Sequence, residues 1–242
     1  MKKQILIIAL ILTSFTISAQ SWWNSKKIKG NGKVITKTRT ISSFEKVNIG
    51  GSFNVNLVDG NVGTITLKGE ENILPYIETE VKNGKLKVQF KENTNIKTTQ
   101  NLTITIPFKN INAISLGGSG NVIVKKNIKT DNVSFNIGGS GNITANVDSN
   151  TVKTSIGGSG NIKLNGETDH LKCSIAGSGN LKAYNLDANS VKASIAGSGN
   201  IQTTVNSNIK ASIVGSGSVH YKGAPKHIDT NSVGSGDVID KN

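Results

Sequence analysis

Through the second half of the chain, apolar and polar residues alternate one for one. Val152-Lys153-Thr154-Ser155-Ile156 sets the pattern, Ile162-Lys163-Leu164 continues it, and Val191-Lys192-Ala193-Ser194-Ile195 and Ile209-Lys210-Ala211-Ser212-Ile213 repeat the same frame. A period of two is the mark of strands with one face buried, and no i, i+3, i+4 stripe of a helix runs through the region. Between the alternating segments stands a glycine phrase. Gly118-Ser119-Gly120-Asn121 returns at residues 139–142, 158–161, 177–180 and 197–200, and two altered copies, Gly215-Ser216-Gly217-Ser218 and Gly234-Ser235-Gly236-Asp237, close the series. The serines lie 21, 19, 19, 20, 18 and 19 residues apart. A fixed period of this size means stacked units. Each unit reads as a strand, a glycine corner, a second strand and a variable connecting loop of roughly 7–10 residues. One unit cannot bury its own apolar face, whereas a stack of units can. The predicted fold is therefore all-β: a single-stranded β-solenoid with about 19 residues per repeat, right-handed as parallel crossovers usually are. Seven coils spaced by about 4.8 Å make a stack of roughly 34 Å.

The corner residues have a steric reason. A sharp corner between strands needs positive φ, which glycine reaches freely and asparagine tolerates best of the rest. Asn121, Asn142, Asn161, Asn180 and Asn200 hold the same place in successive repeats. Their side-chain amides are expected one above another at the strand spacing, in a hydrogen-bonded ladder along the axis. The same repeated face could instead serve as a polar groove, but the backbone alone already requires small and amide residues at such a corner.

Ahead of the repeats the pattern is β-rich and less regular. Residues 36–41, 44–49 and 64–68 read as strands, and residues 70–77, with Pro75, as a helical turn. Residues 78–90 carry Asn83-Gly84 between two alternating segments, the signal of a hairpin with a type I′ turn. Residues 91–100 read as a polar loop, and 102–106 as a strand ended by Pro107. Gly50-Gly51-Ser52-Phe53-Asn54-Val55 resembles a worn copy of the repeat phrase, so the stack could begin there. In the last copy Ser232 takes an inward aliphatic position, which suits the outer coil of a solenoid.

At the N-terminus Lys2 and Lys3 precede an apolar run over residues 5–17, followed by Ser18-Ala19-Gln20. This is the layout of a secretory signal cut after Ala19, too short for a membrane-spanning helix. The expected organisation is a signal peptide at 1–19, a mobile leader at 20–32 carrying Trp22 and Trp23, a β-rich part at 33–111 and the repeat solenoid at 112–242. The expected location is outside the cytoplasm: periplasm, outer surface or extracellular space. No further apolar run predicts a transmembrane segment. Removing Lys2 and Lys3 takes the formal charge from +13 to +11. The lone cysteine, Cys173, shares a column with Thr154, Ala193 and Ala211 and reads as a buried small residue.

The candidate chemistry is thin. The corner phrase is reminiscent of calcium-binding nonapeptides, but the place of their aspartate is held by Val122, Ile143, Ile162, Leu181 or Ile201, and calcium sites need carboxylates. The acids Asp131, Asp148, Glu167, Asp169, Asp187 and Asp229 fall at differing offsets from their glycine corners and predict no column. No paired carboxylates are therefore expected for glycan cleavage. No serine sits in a nucleophile elbow, and no His or Cys spacing suggests zinc. Catalytic, metal and cofactor sites are not expected. The positive charge is nearly all lysine with few aromatic residues, which argues against nucleic acid. Lys153, Lys172, Lys192 and Lys210 share one outward offset and are the candidate ligand face: a column suited to an anionic glycan, an envelope polymer or another surface protein. Outward lysines also keep strands from pairing edge to edge.

The signal-like start, the hairpin-bearing front half and the Gly-Ser-Gly-Asn-Ile/Val repeats together resemble the bacterial family known as the putative auto-transporter adhesin, head GIN domain, over about residues 44–240. The resemblance implies a β-solenoid in the envelope of Gram-negative bacteria. The expected role is a non-enzymatic, adhesin-like surface protein. The alternatives are a carbohydrate-active enzyme on the same scaffold and a purely structural envelope component.

Overall fold

Strand pairing is mostly parallel, and all but two of the strands join in one 17-stranded sheet. The computed structural model describes residues 26–242. The proposed signal peptide, its cleavage point and Trp22-Trp23 lie outside the described residues. Strands β1 (Lys26–Lys29), β2 (Val34–Thr40), β3 (Lys46–Gly50), β4 (Asn54–Asp59) and β5 (Thr64–Glu70) come first. A 3-10 turn, Leu74–Tyr76, leads into β6 (Ile77–Lys82), β7 (Lys85–Phe90), β8 (Thr94–Lys97) and β9 (Thr103–Phe108). The repeats supply β10 (Ala113–Gly118), β11 (Asn121–Val124), β12 (Ile128–Gly139), β13 (Asn142–Gly158), β14 (Asn161–Gly177), β15 (Asn180–Gly197) and β16 (Asn200–Gly215). The last coils are β17 (Val219–Lys222), β18 (His227–Gly234) and β19 (Val238–Asp240).

The period of the sequence becomes the register of the stack. Gly118, Gly139, Gly158, Gly177, Gly197, Gly215 and Gly234 are successive partners. Inward positions form continuous aliphatic columns such as Ile137, Ile156, Ile175, Ile195 and Ile213, all at most 3% exposed. The core is a single cluster from Phe44 to Tyr221. Cys173 lies in it opposite Thr154 and Ala193, and burial pushes its thiol up to about 12.

The worn phrase at residues 50–55 is a rung of the solenoid: β3 pairs in parallel with β10, and β4 with β11. One layer further, β7 pairs in parallel with β3 and β9 with β4, so the parallel stack reaches into the front part. The remaining front strands pair antiparallel: β2 with β5, β5 with β9, and β6 with β7. The hairpin between β6 and β7 turns at Asn83 and Gly84, with φ of 51° and 68°, both positive as a type I′ turn requires.

Four expectations change. The connections within β13, β14, β15 and β16 are not loops: strand continues through them, and pairing with it, as Ile128–Thr130 with Val147–Ser149, because Val147, Leu186 and Val205 carry the inward pattern across, whereas residues 125–127 and 223–226 do connect their strands as loops. The polar stretch 91–100 contains β8, which pairs in parallel with β1 and sets Ile96 beside Ile28 against the core. β1 thus makes strand out of part of the segment expected as a leader. Finally, β9 continues through Pro107. Its pairing to β5 covers only Thr103, Ile104 and Thr105, so at Pro107 one edge has no partner strand and the missing N–H is tolerated.

Candidate ligand face

Two flat sides meet at each glycine corner. On the side before the corner, residues 153, 155 and 157 and their equivalents point outward. Lys153, Lys172, Lys192 and Lys210 pair in sequence, so the four lysines stand on consecutive rungs. The column ends on Asp229, whose carboxylate accepts a hydrogen bond from Lys210 Nζ at 2.6 Å. Among the described residues, Lys153, Lys172 and Lys192 have no carboxylate within ion-pair distance. Ammonium groups repeating at about 4.8 Å repel one another, by about 1 kcal/mol per neighbouring pair in water. Beside them runs a column of Ser155, Ser174, Ser194 and Ser212, a row of hydroxyls able to donate or accept.

At the corner itself the asparagine amides are connected head to tail. Asn121 Nδ2 donates to Asn54 Oδ1 at 3.0 Å, Asn142 to Asn121 at 2.8 Å, and Asn161 to Asn142 at 3.0 Å. Asn180 donates to Asn161 at 3.0 Å and Asn200 to Asn180 at 3.1 Å, and the backbone N–H of Ser218 ends the series on Asn200 Oδ1. Asn54, in the worn phrase, is a member not singled out in the sequence. A second series, Asn185 to Asn165 to Asn146, runs alongside. Replacing Asn161 by alanine removes a link from the middle of the series and leaves both neighbours short of a partner. It is expected to cost about 1–3 kcal/mol. Lys163→Ala, two residues away and outward, should stay within about 0.5 kcal/mol. Equal melting temperatures for the two variants would show the amide series to be incidental.

The acids correct the sequence reading. Asp148, Glu167 and Asp187 are successive ladder partners, with Lys129 below them, and so form a column. Asp148 and Glu167 each lie eight residues after the corner serine, Ser140 and Ser159, while Asp187 lies nine after Ser178 because that coil carries one extra residue. Counted back from the next inward aliphatic (Val152, Leu171 and Val191), each lies four positions earlier. With Asp169 and Asn189 they line an open groove of about 450 Å³. Asn189 Nδ2 donates to Asp169 Oδ1 at 2.6 Å. Lys129 meets Asp148 at 3.0 Å, and that hydrogen bond, with the charges of Asp148 and Glu167, raises the lysine's pKa. Among the described residues no three His, Cys, Asp or Glu side chains converge as metal ligands. No helix among them is long and apolar enough to cross a membrane.

No curated protein matches the chain. Solved structures do. One described as a putative adhesin from Bacteroides fragilis NCTC 9343 is 28% identical, with a TM-score of 0.84 over 88% of this chain and 100% of that one. Another, described as a putative lipid binding protein from Parabacteroides distasonis ATCC 8503, is 28% identical, with a TM-score of 0.75 over 90% and 100% of the two chains. A third, a putative adhesin from Parabacteroides merdae ATCC 43184, is 26% identical, with a TM-score of 0.67 over 90% and 100%. The family model for the putative auto-transporter adhesin, head GIN domain, matches residues 43–225, the worn phrase and nearly all the repeats included. The chain belongs to the putative auto-transporter adhesin, head GIN domain family.

Proposed function

We propose that this protein is a non-enzymatic, exported envelope or surface protein, adhesin-like, which lays an anionic polymer along its lysine column. One observation carries the reading: four lysines stand in register on consecutive rungs, three of them without an acidic partner. A linear polyanion would relieve their mutual repulsion along its whole length, and the neighbouring serines offer hydroxyls to its polar groups. Membership of a family named for adhesins, and an N-terminus laid out as a secretory signal, support display outside the cytoplasm. An anionic glycan is the favoured class of partner.

The carboxylate column is what speaks for glycan cleavage on this scaffold. Acid–base cleavage needs two carboxyl groups in unlike environments, one holding its proton and one not. Glu167 and Asp187 both face open solvent, so binding is the better reading.

The test is retention on an immobilised anionic polysaccharide at rising salt. The wild type is expected to bind, and the quadruple variant Lys153→Glu, Lys172→Glu, Lys192→Glu, Lys210→Glu to elute at much lower salt. If the two elute together, the column serves only to keep the surface solvated.

A further inference from the structure

The ladder of the stack is disturbed at one coil, and the disturbance puts an aromatic ring on the surface. Asn161-Ile162-Lys163-Leu164-Asn165 is matched one coil later by Asn180-Leu181-Lys182-Ala183-Tyr184-Asn185, one residue longer. Lys163 pairs with Lys182 and Asn165 with Asn185, so Leu164 faces both Ala183 and Tyr184. Ala183 takes the inward place at 0% exposure, and Tyr184 is left on the outer side. The next coil breaks step at the same point: Ala183 pairs with Thr203, then Asp187 with Thr204, and residues 184–186 have no ladder partner there. Only the Thr204 hydroxyl reaches back, donating to the Tyr184 carbonyl at 2.7 Å. The result is a ledge on an otherwise regular side. Bulges of this kind re-aim side chains and are common beside functional sites.

The ladder also fixes what surrounds the ring. Lys182 pairs with Gln202 and Gln202 with His220, while Thr204 pairs with Lys222. Tyr184, Thr204 and Lys222 therefore stand two residues along from Lys182, Gln202 and His220, and together the six form a small grid across three coils. Lys222 Nζ lies 5.2 Å from the Tyr184 ring centroid. His220 Nδ1 is buried with no hydrogen-bond partner among the described residues. None of the six is acidic. Phe135 and Tyr221, the other Phe and Tyr side chains of residues 112–242, are buried. A ring with one face for stacking, two ammonium groups, an amide and a hydroxyl form a set that suits a pyranose carrying a negative charge.

We propose that the Tyr184 ledge is a binding site for an anionic sugar residue. The pyranose stacks on the tyrosine ring, and its carboxylate or sulfate is held by Lys182 and Lys222. This site lies after the glycine corner, separate from the lysine column before it.

The test uses the quadruple Lys→Glu variant, so that the lysine column is charge-reversed and cannot contribute, with a hexuronate disaccharide as probe. Backbone amide shifts are followed by NMR. Saturable shifts are expected at residues 182–186, 202–204 and 220–222, and weaker binding for the carboxyl-reduced disaccharide. Tyr184→Ala should weaken binding about tenfold and Tyr184→Phe, which keeps the ring, by no more than about twofold. Should Tyr184→Ala lower the melting temperature, Lys182→Gln carries the test, because it must weaken binding with ring and fold intact. The proposal is overturned if saturating disaccharide moves no amide in the grid, or if neither Tyr184→Ala nor Lys182→Gln weakens binding. In that case the wild type's retention on polysaccharide stands or falls on its own.

Discussion

Alanine at Gly139 is expected to destabilise the solenoid by about 3 kcal/mol, while alanine one residue earlier, at Gly138, leaves it unchanged or slightly more stable. Gly139 has φ of +141°, and a Cβ built there would lie 2.5 Å from the carbonyl oxygen of Gly118 on the rung before. Backbone strain of that kind costs of order 1–3 kcal/mol and overpacking a similar amount. The clash is with backbone in a fixed register, so no side chain can swing away to relieve it. Gly138 points outward with nothing within 4 Å of a built Cβ, and its φ lies outside the left-handed region. Its column already holds alanine at Ala176 and Ala196. A Gly→Ala change at such a place gains about 0.4–1 kcal/mol by restricting the unfolded chain. Thermal melts of the two single variants decide the matter, and equal losses would mean that the corner is not the tight turn described.

The second large effect is expected at Glu70. This carboxylate is 1% exposed, and among the described residues no cation lies within ion-pair distance of it. It accepts the N–H of Gly32 at 2.7 Å, the N–H and hydroxyl of Thr99 at 2.9 and 2.6 Å, and the N–H of Gln100 at 3.4 Å. It thereby ties the turn after β1 to the approach to β9. Burial pushes its pKa up, but the Thr99 hydroxyl and the three N–H groups outweigh that and hold it at about 2, down from an ordinary 4.5. Glu70→Gln, which cannot accept all four bonds, is expected to cost about 3 kcal/mol at neutral pH. Because the folded pKa is depressed, the stabilisation is present in full above about 4.5 and is lost as pH falls toward about 2. The difference in melting temperature between wild type and Glu70→Gln should therefore narrow across that window. A constant difference would rule out an ionised Glu70 as the source.

The repeats were legible because one local requirement recurs at a fixed interval. Positive φ and close backbone approach admit only glycine at residues 118, 139 and 158, and alternation on both sides of the corner then leaves stacking as the only way to bury Ile137, Ile156 and Ile175. The front part was less legible because distant contacts shape it. The Arg39 guanidinium donates to the carbonyls of Ile77 and Leu74, and Glu70 gathers donors from residues 32, 99 and 100. No local pattern announces such pairs, and β8 is too short and polar to stand out. The lysine column showed in the sequence because it lies inside the invariant frame. The acid column did not, because its members are mixed with Asp131, Asp169 and Asp229 at other offsets, and one extra residue before Asp187 breaks the count from the corner that Asp148 and Glu167 share. Tyr184 left a trace in the single 20-residue interval between Ser178 and Ser198, which records the extra residue without saying that it turns outward.

The salt dependence of polysaccharide retention tests the lysine column most directly. A column that neutralises a polyanion displaces counterions, so log affinity falls linearly with log salt, and the slope grows with the number of lysines engaged. The wild type should show a steep slope that becomes shallower with each neutral replacement at Lys153, Lys172 and Lys192. Lys210, already paired with Asp229, should contribute least. A slope that is the same in the wild type and in the variant lacking all four lysines would contradict the account.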